Sequence, residues 1–304
     1  MRLLLLGKNG QIGWELQRAL APLGELIAID RGSAAPLCGD LLHPNLLAAA
    51  VRHVRPDVIV NAAGYTAVDR AEDEPELAMR VNAEAAAALA QAAAASGALL
   101  IHYSTDYVFD GSGTAPWTEG SPTAPLNVYG RSKLAGEEAI RASGCRHLLL
   151  RTSWIYASRG ANFARTMLRL AAERERLEVI ADQIGAPTGA DLVADVTAHT
   201  IRTALPRPEL DGTYHLVAGG ETSRHGYARH VIDYARSFGL PLRTQPDSVV
   251  AIASEAMPTP ALRPKNSRLS TQSLAERFAL SLPPWQHGVD RMLNELLSQP
   301  GSAR

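Results

Sequence analysis

The stretch RLLLLGKNGQIGWELQRAL, residues 2–20, decides the fold. Its leucine run has no polar alternation, which predicts a strand buried on both faces of a parallel sheet. Gly7, Gly10 and Gly13 follow directly and open a helical stretch. Glycines at such a junction permit a tight turn and let a pyrophosphate approach the backbone at a helix N-terminus. The spacing is GxxGxxG, so a turn of purely structural role is the alternative.

Strand and helix patterns continue to alternate outward from this stretch through the first half of the chain. The predicted strands are residues 2–6, 25–29, 57–61, 98–103 and 147–151, and the predicted helices are 11–21, 44–54, 74–96 and 127–143. A further strand is expected to end at Asp40 and Leu41. Such repetition predicts an α/β fold with a doubly wound parallel sheet and right-handed crossovers.

The second half of the chain lacks the regular alternation of strand and helix patterns. Helical patterns at 162–174, 191–204, 224–238 and 286–297 alternate with loops rich in proline and glycine, such as the loop with Pro258, Pro260 and Pro264. We therefore predict a sheet domain over residues 1–152 with returning segments of the second half. A smaller lobe takes up most of 153–297, and 298–304 form a frayed tail.

Composition excludes several classes of protein. The 304 residues carry 30 Lys and Arg against 31 Asp and Glu, so no basic excess points to nucleic acid or an anionic membrane. Two cysteines, Cys38 and Cys145, exclude a disulfide framework and favour a reducing, cytoplasmic compartment. The apolar run at residues 3–6 is too short for a signal peptide, and the alanine-rich stretch 83–95, interrupted by Glu84, indicates a helix of a soluble protein.

Acidic and small residues follow the predicted strands where a dinucleotide would lie. Asp30 comes 17 positions after Gly13, where an acid accepts from adenosine ribose hydroxyls, although a turn cap is the alternative. Arg31 is suited to a 2′-phosphate, so the pair favours use of both NADH and NADPH. The small residues Ala62, Ala63 and Gly64 leave room for a dinucleotide, with a tight turn as the equal alternative.

The most specific pattern is YGRSK, with Tyr129 and Lys133 on one helix face. A nearby ammonium lowers the pKa of a phenol, which permits proton exchange near neutrality. An exposed Tyr and Lys are the alternative. Ser-Thr-Asp at 104–106 supplies a hydroxyl able to hydrogen-bond a carbonyl oxygen. His102, in the preceding strand, is expected to be packed or capping rather than catalytic, and no His/Cys cluster has metal-ligand spacing.

Taken together, these residues resemble the extended short-chain dehydrogenase/reductase family, and within it the branch that reduces dTDP-4-dehydro-β-L-rhamnose. The resembling segments are GKNGQIGWELQRAL (7–20), VNAAGYTAVDRAE (60–72), HYSTDYVFDG (102–111), APLNVYGRSKLAGE (124–137), RTSWIY (151–156), NFARTMLRLA (162–171), DQIGAPTGADLVAD (182–195) and RPKNSRL (263–269). The resemblance implies a Rossmann-type sheet with a C-terminal substrate-binding lobe. It also implies NAD(P)H-dependent reduction to dTDP-β-L-rhamnose, the last step of a synthesis that serves cell-surface polysaccharide such as lipopolysaccharide O-antigen.

The resemblance assigns roles residue by residue. Tyr129 would protonate the reduced 4-keto oxygen, Lys133 would lower the Tyr129 pKa and hold the nicotinamide ribose, and Thr105 would bind the ketone oxygen. Asp106 and Trp154 would lie near the sugar nucleotide. The implied cofactor contacts are Gly10, Gln11 and Ile12 at the pyrophosphate, Asp30 at the adenosine ribose, Asp40 and Leu41 at the adenine, and Gly64, Tyr65, Thr66 and Tyr103 along the remaining path.

Two further expectations follow from the resemblance. Dehydratases of this fold carry Thr-Asp-Glu, whereas this chain has Tyr107 after Asp106, which favours simple ketone reduction over elimination. Some relatives bind Mg²⁺ at a homodimer contact; Glu15 matches that pattern and Asp191 and Glu295 match it loosely, with a solvated helix residue as the alternative. A related nucleotide-sugar reductase or epimerase, and a non-catalytic cofactor-binding regulatory subunit, remain alternative functions.

Overall fold

The computed structural model describes residues 1–34 and 36–298, so the predicted tail lies outside it from residue 299 on. The strands are β1 (Arg2–Leu6), β2 (Glu25–Ile29), β3 (Val58–Asn61), β4 (Leu99–Thr105), β5 (His147–Thr152), β6 (Ile155–Tyr156), β7 (Leu177–Ile180), β8 (Ile184–Gly185), β9 (Thr188–Gly189), β10 (Gly212–His215), β11 (Thr222–Ser223) and β12 (Val249–Ile252). The helices are α1 (Gln11–Leu20), α2 (Pro44–Val54), α3 (Val68–Asp73), α4 (Pro75–Met79), α5 (Ala85–Ser96), α6 (Val128–Ala142), α7 (Phe163–Glu173), α8 (Ala190–Ala204), α9 (Arg224–Ser237), α10 (Gln272–Phe278) and α11 (Trp285–Leu297).

Six parallel strands form the central sheet in the order β10-β5-β4-β3-β1-β2. The strand order reverses at β1, because β2 lies on one side of it and β3 on the other. A crevice forms outside the carboxyl ends of the strands at such a reversal. The predicted α/β fold is confirmed, and each of the five predicted strands ends within two residues of its observed bounds.

The positions of the leucines in β1 explain why successive residues of this strand are all apolar. Leu3 and Leu5 lie in a core with α1, α8 and α10, whereas Leu4 and Leu6 lie in a second core with α2, α5 and α6. Helices cover both faces, so neither face of the strand can be polar. The alanine-rich α5 packs against the second face. No helix within residues 1–34 and 36–298 is long and apolar enough to cross a membrane.

The strand expected to end at Asp40 and Leu41 does not form; the described residues between β2 and α2 contain no strand. The chain turns back on itself there, since the Gly39 amide donates to the Asp30 carbonyl at 3.0 Å. Asp40 then accepts from the Leu42 amide at 3.0 Å. The segment crosses the end of β2 and cannot extend the sheet. The strand of the central sheet that sequence reasoning missed is β10, which pairs with β5 at the other edge. Strands β7 and β12, which pair with each other outside this sheet, were not predicted either.

The second half returns to the sheet and also builds a core of its own. Helix α8 packs on the same sheet face as α1, and β10 completes the sheet. Helices α7, α9 and α11 enclose a separate core with Met167, Tyr227, Val231 and Val289. The four predicted helices of this half are confirmed to within one residue at each end. Helices α3 and α10 and the two-residue strands were not predicted.

A buried ion pair attaches α6 to the sheet. Glu137 is fully buried and accepts from Arg151 of β5 through Nε at 2.9 Å and Nη2 at 2.6 Å. Arg141, which lies at the surface, donates a further hydrogen bond to Glu137 at 3.0 Å. Burial works against the Glu137 carboxylate, but the hydrogen bonds and charge of Arg151 outweigh it and hold the Glu137 pKa below its ordinary value. The helix that carries Tyr129 and Lys133 is therefore fixed by charge at its middle.

Substituting Glu137→Gln leaves the Arg151 guanidinium buried without a counter-charge. We expect the free energy of unfolding to fall by about 3–5 kcal/mol, as when one partner of a buried pair is removed. Urea denaturation at pH 7 measures this. In Arg141→Gln, which removes the exposed partner, the loss is expected to stay under about 1 kcal/mol. Equal losses in the two variants would contradict the anchoring role of the buried pair.

Candidate active site

Two of the three glycines in the first turn are required by a close backbone approach. Gly7 has φ of +83°, and a Cβ on it would lie 2.7 Å from the Ala63 amide nitrogen. A Cβ on Gly13 would lie 2.0 Å from the Gly7 carbonyl oxygen. Gly10 is the N-cap of α1 and supplies no side-chain cap, which leaves the first amides of the helix available to an anion. The tight turn that the sequence predicts is therefore present, and its use as a pyrophosphate cradle stays a prediction.

The next residues of the turn hold it against the protein. Gln11 donates to the carbonyl oxygens of Arg159 and Ala161 at 3.3 and 3.1 Å, and Ile12 packs against the sheet core. These bonds bring the 159–161 segment of the second half over the first helix. Gln11 therefore ties the two halves of the chain together beside the cradle.

Asp30 lies at the end of β2, where the sequence placed it. Its carboxylate accepts from the Gly32 amide at 3.0 Å and the Ser33 hydroxyl at 3.1 Å, and the Asn9 amide also bonds to it. Lys8 lies 3.9 Å away. The turn-cap alternative thus describes part of what Asp30 does, and its contact with Lys8 and Asn9 was not foreseen. Arg31 is exposed beside it, whereas Leu41 is buried.

The loop after β3 is held by a buried asparagine that sequence reasoning missed. Asn82 lies in a π-turn at residues 80–84 and is 1% exposed. It accepts from the Tyr65 amide at 2.9 Å and donates to the Tyr65 carbonyl at 3.0 Å and to Ser132 of α6 at 2.9 Å. Gly64 and Thr66 on either side are exposed along the crevice. A single side chain therefore fixes the crevice wall relative to the YGRSK helix.

Thr105 and Tyr129 come together at the carboxyl end of β4. Tyr129 lies in the first turn of α6, and its phenol is near enough to the Thr105 side chain for Thr105 to oppose the rise that burial causes in the Tyr129 pKa. Thr105 also donates to Asp106 at 3.1 Å and accepts from the Tyr107 amide at 3.2 Å. The Tyr107 ring meets Tyr129 edge-on with centroids 5.6 Å apart. The hydroxyl, phenol and carboxyl predicted from separate segments therefore form one cluster.

Lys133 lies one turn along α6, but its amine points elsewhere than predicted. Nζ donates to the Tyr103 carbonyl at 2.6 Å and lies 3.2 Å from His102 Nε2. The Tyr103 ring itself packs in the core, where its hydroxyl contacts Thr197 at 2.8 Å. Burial raises the pKa of Tyr129. The expectation that Lys133 lowers it is wrong for this arrangement, because strand β4 takes up the amine and the phenol is desolvated.

Trp154 lies where the chain leaves β5, and its backbone has φ of +48°. The Arg224 guanidinium stacks 3.7 Å from its ring centre. Gly185 leaves the space for the indole, since a Cβ there would lie 2.9 Å from the ring. A cavity of about 620 Å³ extends from this stack along α7 and β7. Among the residues that line it are Phe163, Met167, Arg174, Val179, Arg224 and Arg263.

Comparison with known proteins agrees with this geometry. The family model described as RmlD substrate binding domain matches residues 1–298. The dTDP-4-dehydrorhamnose reductase of Escherichia coli K12 is 58% identical over 298 residues, which cover 98% of this chain and 99% of that protein. The chain belongs to the dTDP-4-dehydrorhamnose reductase family. The Burkholderia thailandensis reductase is 46% identical over 98% of this chain and 100% of its own length.

Members of this family share the whole architecture. A crystal structure of the Bacillus anthracis dTDP-4-dehydrorhamnose reductase, determined in complex with NADP, superposes with a TM-score of 0.85 at 34% identity. The match covers 97% of this chain and 99% of that one. The family resemblance and the Rossmann-type fold inferred from the sequence are therefore confirmed.

The carboxylates considered for Mg²⁺ do not meet in this chain. Glu15 pairs with Arg18 at 3.6 Å, whereas Asp191 and Glu295 share Arg291 at 3.2 and 3.4 Å. Within the ranges 1–34 and 36–298, no group of three or more His, Cys, Asp or Glu side chains is placed to hold a metal ion. Each carboxylate has an arginine partner within the one chain, and the magnesium site, which is predicted to lie between two subunits, stays a prediction.

The variant Gly13→Ala tests whether the glycine turn at residues 7–13 binds a dinucleotide. In Gly13→Ala the Cβ overlaps the Gly7 carbonyl, which forces the turn apart. We expect about 1–3 kcal/mol lower stability, as in overpacked sites, and weaker binding of a nicotinamide dinucleotide in a fluorescence titration. Gly120→Ala is the matched control, because no heavy atom lies within 4 Å of its Cβ. Unchanged dinucleotide affinity in Gly13→Ala would contradict the cradle assignment.

Asp106 is predicted to reduce stability at high pH. Burial raises its pKa to about 6 from an ordinary 3.8, against hydrogen bonds from Ser267 and Thr105. The folded state therefore binds the proton more tightly, and its advantage is lost as the pH rises through 6. Asp106→Asn is expected to raise the free energy of unfolding by about 2–3 kcal/mol at pH 8 and by about 1 kcal/mol at pH 4.5.

Urea denaturation at the two pH values measures this difference. Asp110→Asn is the control, since that exposed carboxylate accepts from the Ser112 amide and its pKa is lowered. No gain at pH 8 is expected there. A pH-independent effect of Asp106→Asn would show that burial of the Asp106 carboxylate is not what destabilises the fold.

Proposed function

We propose that the chain catalyses the NAD(P)H-dependent reduction of the 4-keto group of dTDP-4-dehydro-β-L-rhamnose to dTDP-β-L-rhamnose. The observation that carries the proposal is the cluster at the carboxyl edge of the sheet, where Thr105 accepts from the Tyr107 amide at 3.2 Å and the Tyr107 ring meets Tyr129, one helical turn from Lys133. Relatives that are 58% and 46% identical bear the name of this activity, which supports the choice of substrate.

The residues around the crevice fit a nicotinamide dinucleotide. The cradle at Gly7–Gly13 offers unpaired helix amides to a pyrophosphate, and Asp30 offers a carboxylate to the adenosine ribose. Arg31 is exposed and free to meet a 2′-phosphate, so we propose that NADH and NADPH both serve. When bound, the nicotinamide supplies the hydride. Lys133 would hold the hydroxyls of the nicotinamide ribose.

Tyr129 is the proposed acid. Because burial raises its pKa, the phenol stays protonated at neutral pH and has a proton to give. It would transfer that proton to the C4 oxygen as hydride reaches C4, which turns the ketone into an alcohol and leaves a phenolate to be reprotonated. The Thr105 hydroxyl would donate a hydrogen bond to the same oxygen. Holding both reactants in one crevice supplies much of the acceleration.

The cavity beyond Trp154 suits the nucleotide end of the substrate. Arg224 and Arg263 lie at its inner end, and Arg174 and Arg176 line it further out. Guanidinium groups bind phosphate oxygens in pairs of parallel hydrogen bonds. We propose that residues 153–297 are mainly the lobe that holds the dTDP group, with 1–152 and the returning α8 and β10 as the cofactor domain.

Elimination is disfavoured at this site. Tyr107 stands where dehydratases carry a glutamate, and burial raises its pKa, so it is a poor base. We further propose that the enzyme works in the cytoplasm as a homodimer and that its product supplies rhamnose for cell-surface polysaccharide such as O-antigen.

Tyr129→Phe is the decisive variant. Removal of the phenol hydroxyl is expected to lower kcat at least about 100-fold, as for loss of a general acid, with dinucleotide affinity retained. The assay follows oxidation of NADH and of NADPH at 340 nm with dTDP-4-dehydro-β-L-rhamnose formed in the cuvette by a 3,5-epimerase. The kcat/KM values for the two dinucleotides test the dual cofactor use.

Tyr107→Phe is the matched control. It removes a second phenol 5.6 Å from the first, and activity is expected to stay within about tenfold of the native chain because Tyr107 moves no proton. Cofactor binding without oxidation by the native chain would redirect the function to another sugar nucleotide or to a regulatory subunit.

A further inference from the structure

A buried histidine joins two polar side chains beneath the crevice. His102 is 2% exposed and lies in β4. Its Nδ1 lies 3.1 Å from Asn61 Nδ2, and its Nε2 lies 3.2 Å from Lys133 Nζ. The proposed reaction uses Lys133 but assigns nothing to His102 or Asn61. Because both nitrogens of this buried ring have a hydrogen-bond partner, the positions of the protons shared by Asn61, His102 and Lys133 are constrained.

The orientation of Asn61 is fixed by the backbone. Its Oδ1 accepts from the Ala63 amide at 3.2 Å, so its NH₂ faces His102. The reversed amide would set NH₂ against the N–H of Ala63, a buried clash of two donors. An NH₂ group can only donate. His102 Nδ1 must therefore be the acceptor.

The acceptor at Nδ1 determines the other nitrogen. Burial holds the His102 pKa well below its ordinary value, so the ring is neutral. A neutral imidazole has one acceptor and one N–H. Its proton is therefore on Nε2 and points at Lys133 Nζ. Lys133 can accept that hydrogen bond only as a neutral amine, which has a free lone pair. The neutral amine still donates to the Tyr103 carbonyl at 2.6 Å.

The surroundings of Lys133 are compatible with a neutral amine. Burial lowers its pKa to about 8, although the Glu137 charge one turn along α6 opposes this. Glu137 is itself neutralised by Arg151 and Arg141. Tyr129, one turn before Lys133, is uncharged as a phenol. The groups facing Nζ from β4 are the neutral His102 ring and a backbone carbonyl.

We propose that Asn61 and His102 are a positioning pair that holds Lys133 as a neutral amine, with His102 Nε2–H donating to Nζ. Lys133 becomes an ammonium when its amine leaves His102 for the ribose and Tyr129. The resting phenol therefore keeps its proton until the reactants are in place. This inference rests on the proposed role of Lys133, but its main readout is a proton position and needs no turnover.

Long-range ¹H–¹⁵N correlation spectra of the histidine rings test the pair in the native protein. The chain has nine histidines, and His102 is assigned by its disappearance in His102→Gln. If that variant does not fold, the signal that moves in Asn61→Ser identifies the ring. We expect a neutral ring protonated at Nε2 at pH 9, where a Lys133 pKa of about 8 leaves the amine neutral. A ring protonated at Nδ1, or at both nitrogens, would overturn the proposal.

Asn61→Asp should reverse the pair. A carboxylate accepts from Ala63 and also from His102 Nδ1–H, so Nε2 becomes an acceptor for a Lys133 ammonium. The spectrum is expected to switch to the Nδ1–H form, and the Lys133 Nζ titration, followed by its ¹⁵N shift, is expected to move up by about one pH unit or more. The alkaline limb of kcat/KM should follow it.

Asn127→Asp is the control for added charge. Asn127 is buried and caps α6 through the Gly130 amide at 2.8 Å; aspartate keeps that cap but loses the donation from Asn127 Nδ2 to the Leu262 carbonyl at 2.7 Å. It lies away from His102, so the Nε2–H form should persist. A switch in both variants, or in neither, would contradict the pair. The Tyr129→Phe assay reads the proposed function separately, so either hypothesis can fail while the other stands.

Discussion

The parallel direction of β1, β3 and β4 is the constraint on which the site depends. Register places Leu6 beside Asn61 and Asn61 beside His102, so the three strands end on one edge. The segments that follow are then neighbours: the glycine turn after β1, the small loop after β3, and the Ser-Thr-Asp segment at the end of β4. An antiparallel neighbour would send one of these segments to the opposite edge and leave the crevice without a wall.

Desolvation sets the charge of that edge. It raises the pKa values of Tyr129 and Asp106 and lowers those of Lys133 and His102. In every case burial favours the uncharged form, because a charged group loses more hydration than a neutral one. The fixed charges nearby are the arginines that line the cavity, Arg224 and Arg263. Tyr129 and His102 therefore stay neutral at neutral pH, and the positive charge lies along the cavity.

Much of this fold follows from sequence because its strands are buried on both faces. The leucines of β1 have no polar alternation to obscure them, and β3 to β5 are likewise buried, whereas the edge strand β2 is only partly buried. Strand β10 was missed because GTYH is short and mixes polar with apolar residues. The strand expected at Asp40 was wrong because strand–helix rhythm does not reveal that Gly39 folds back onto Asp30.

The site was predictable only as far as local spacing reaches. The i, i+4 pattern places Tyr129 and Lys133 on one helix face, but it does not say what lies opposite. The contacts that decide the Lys133 direction come from Tyr103 and His102, about 30 residues earlier in the chain. Asn82 binds Ser132 across 50 residues. Such polar pairs leave no periodic pattern, since each is a single contact between distant segments.

Trp154 shows how the second half of the chain is coupled to the sheet. A tryptophan with positive φ is strained, by about 1–3 kcal/mol for such conformations. The strain persists because Gly185 leaves room for the indole and Arg224 stacks on it. Both partners come from later segments of the chain, whereas Trp154 follows β5 of the sheet directly. The backbone conformation just after β5 is therefore held by packing and not by local preference. A change that moves Arg224 would remove the stacking that holds Trp154 in this conformation.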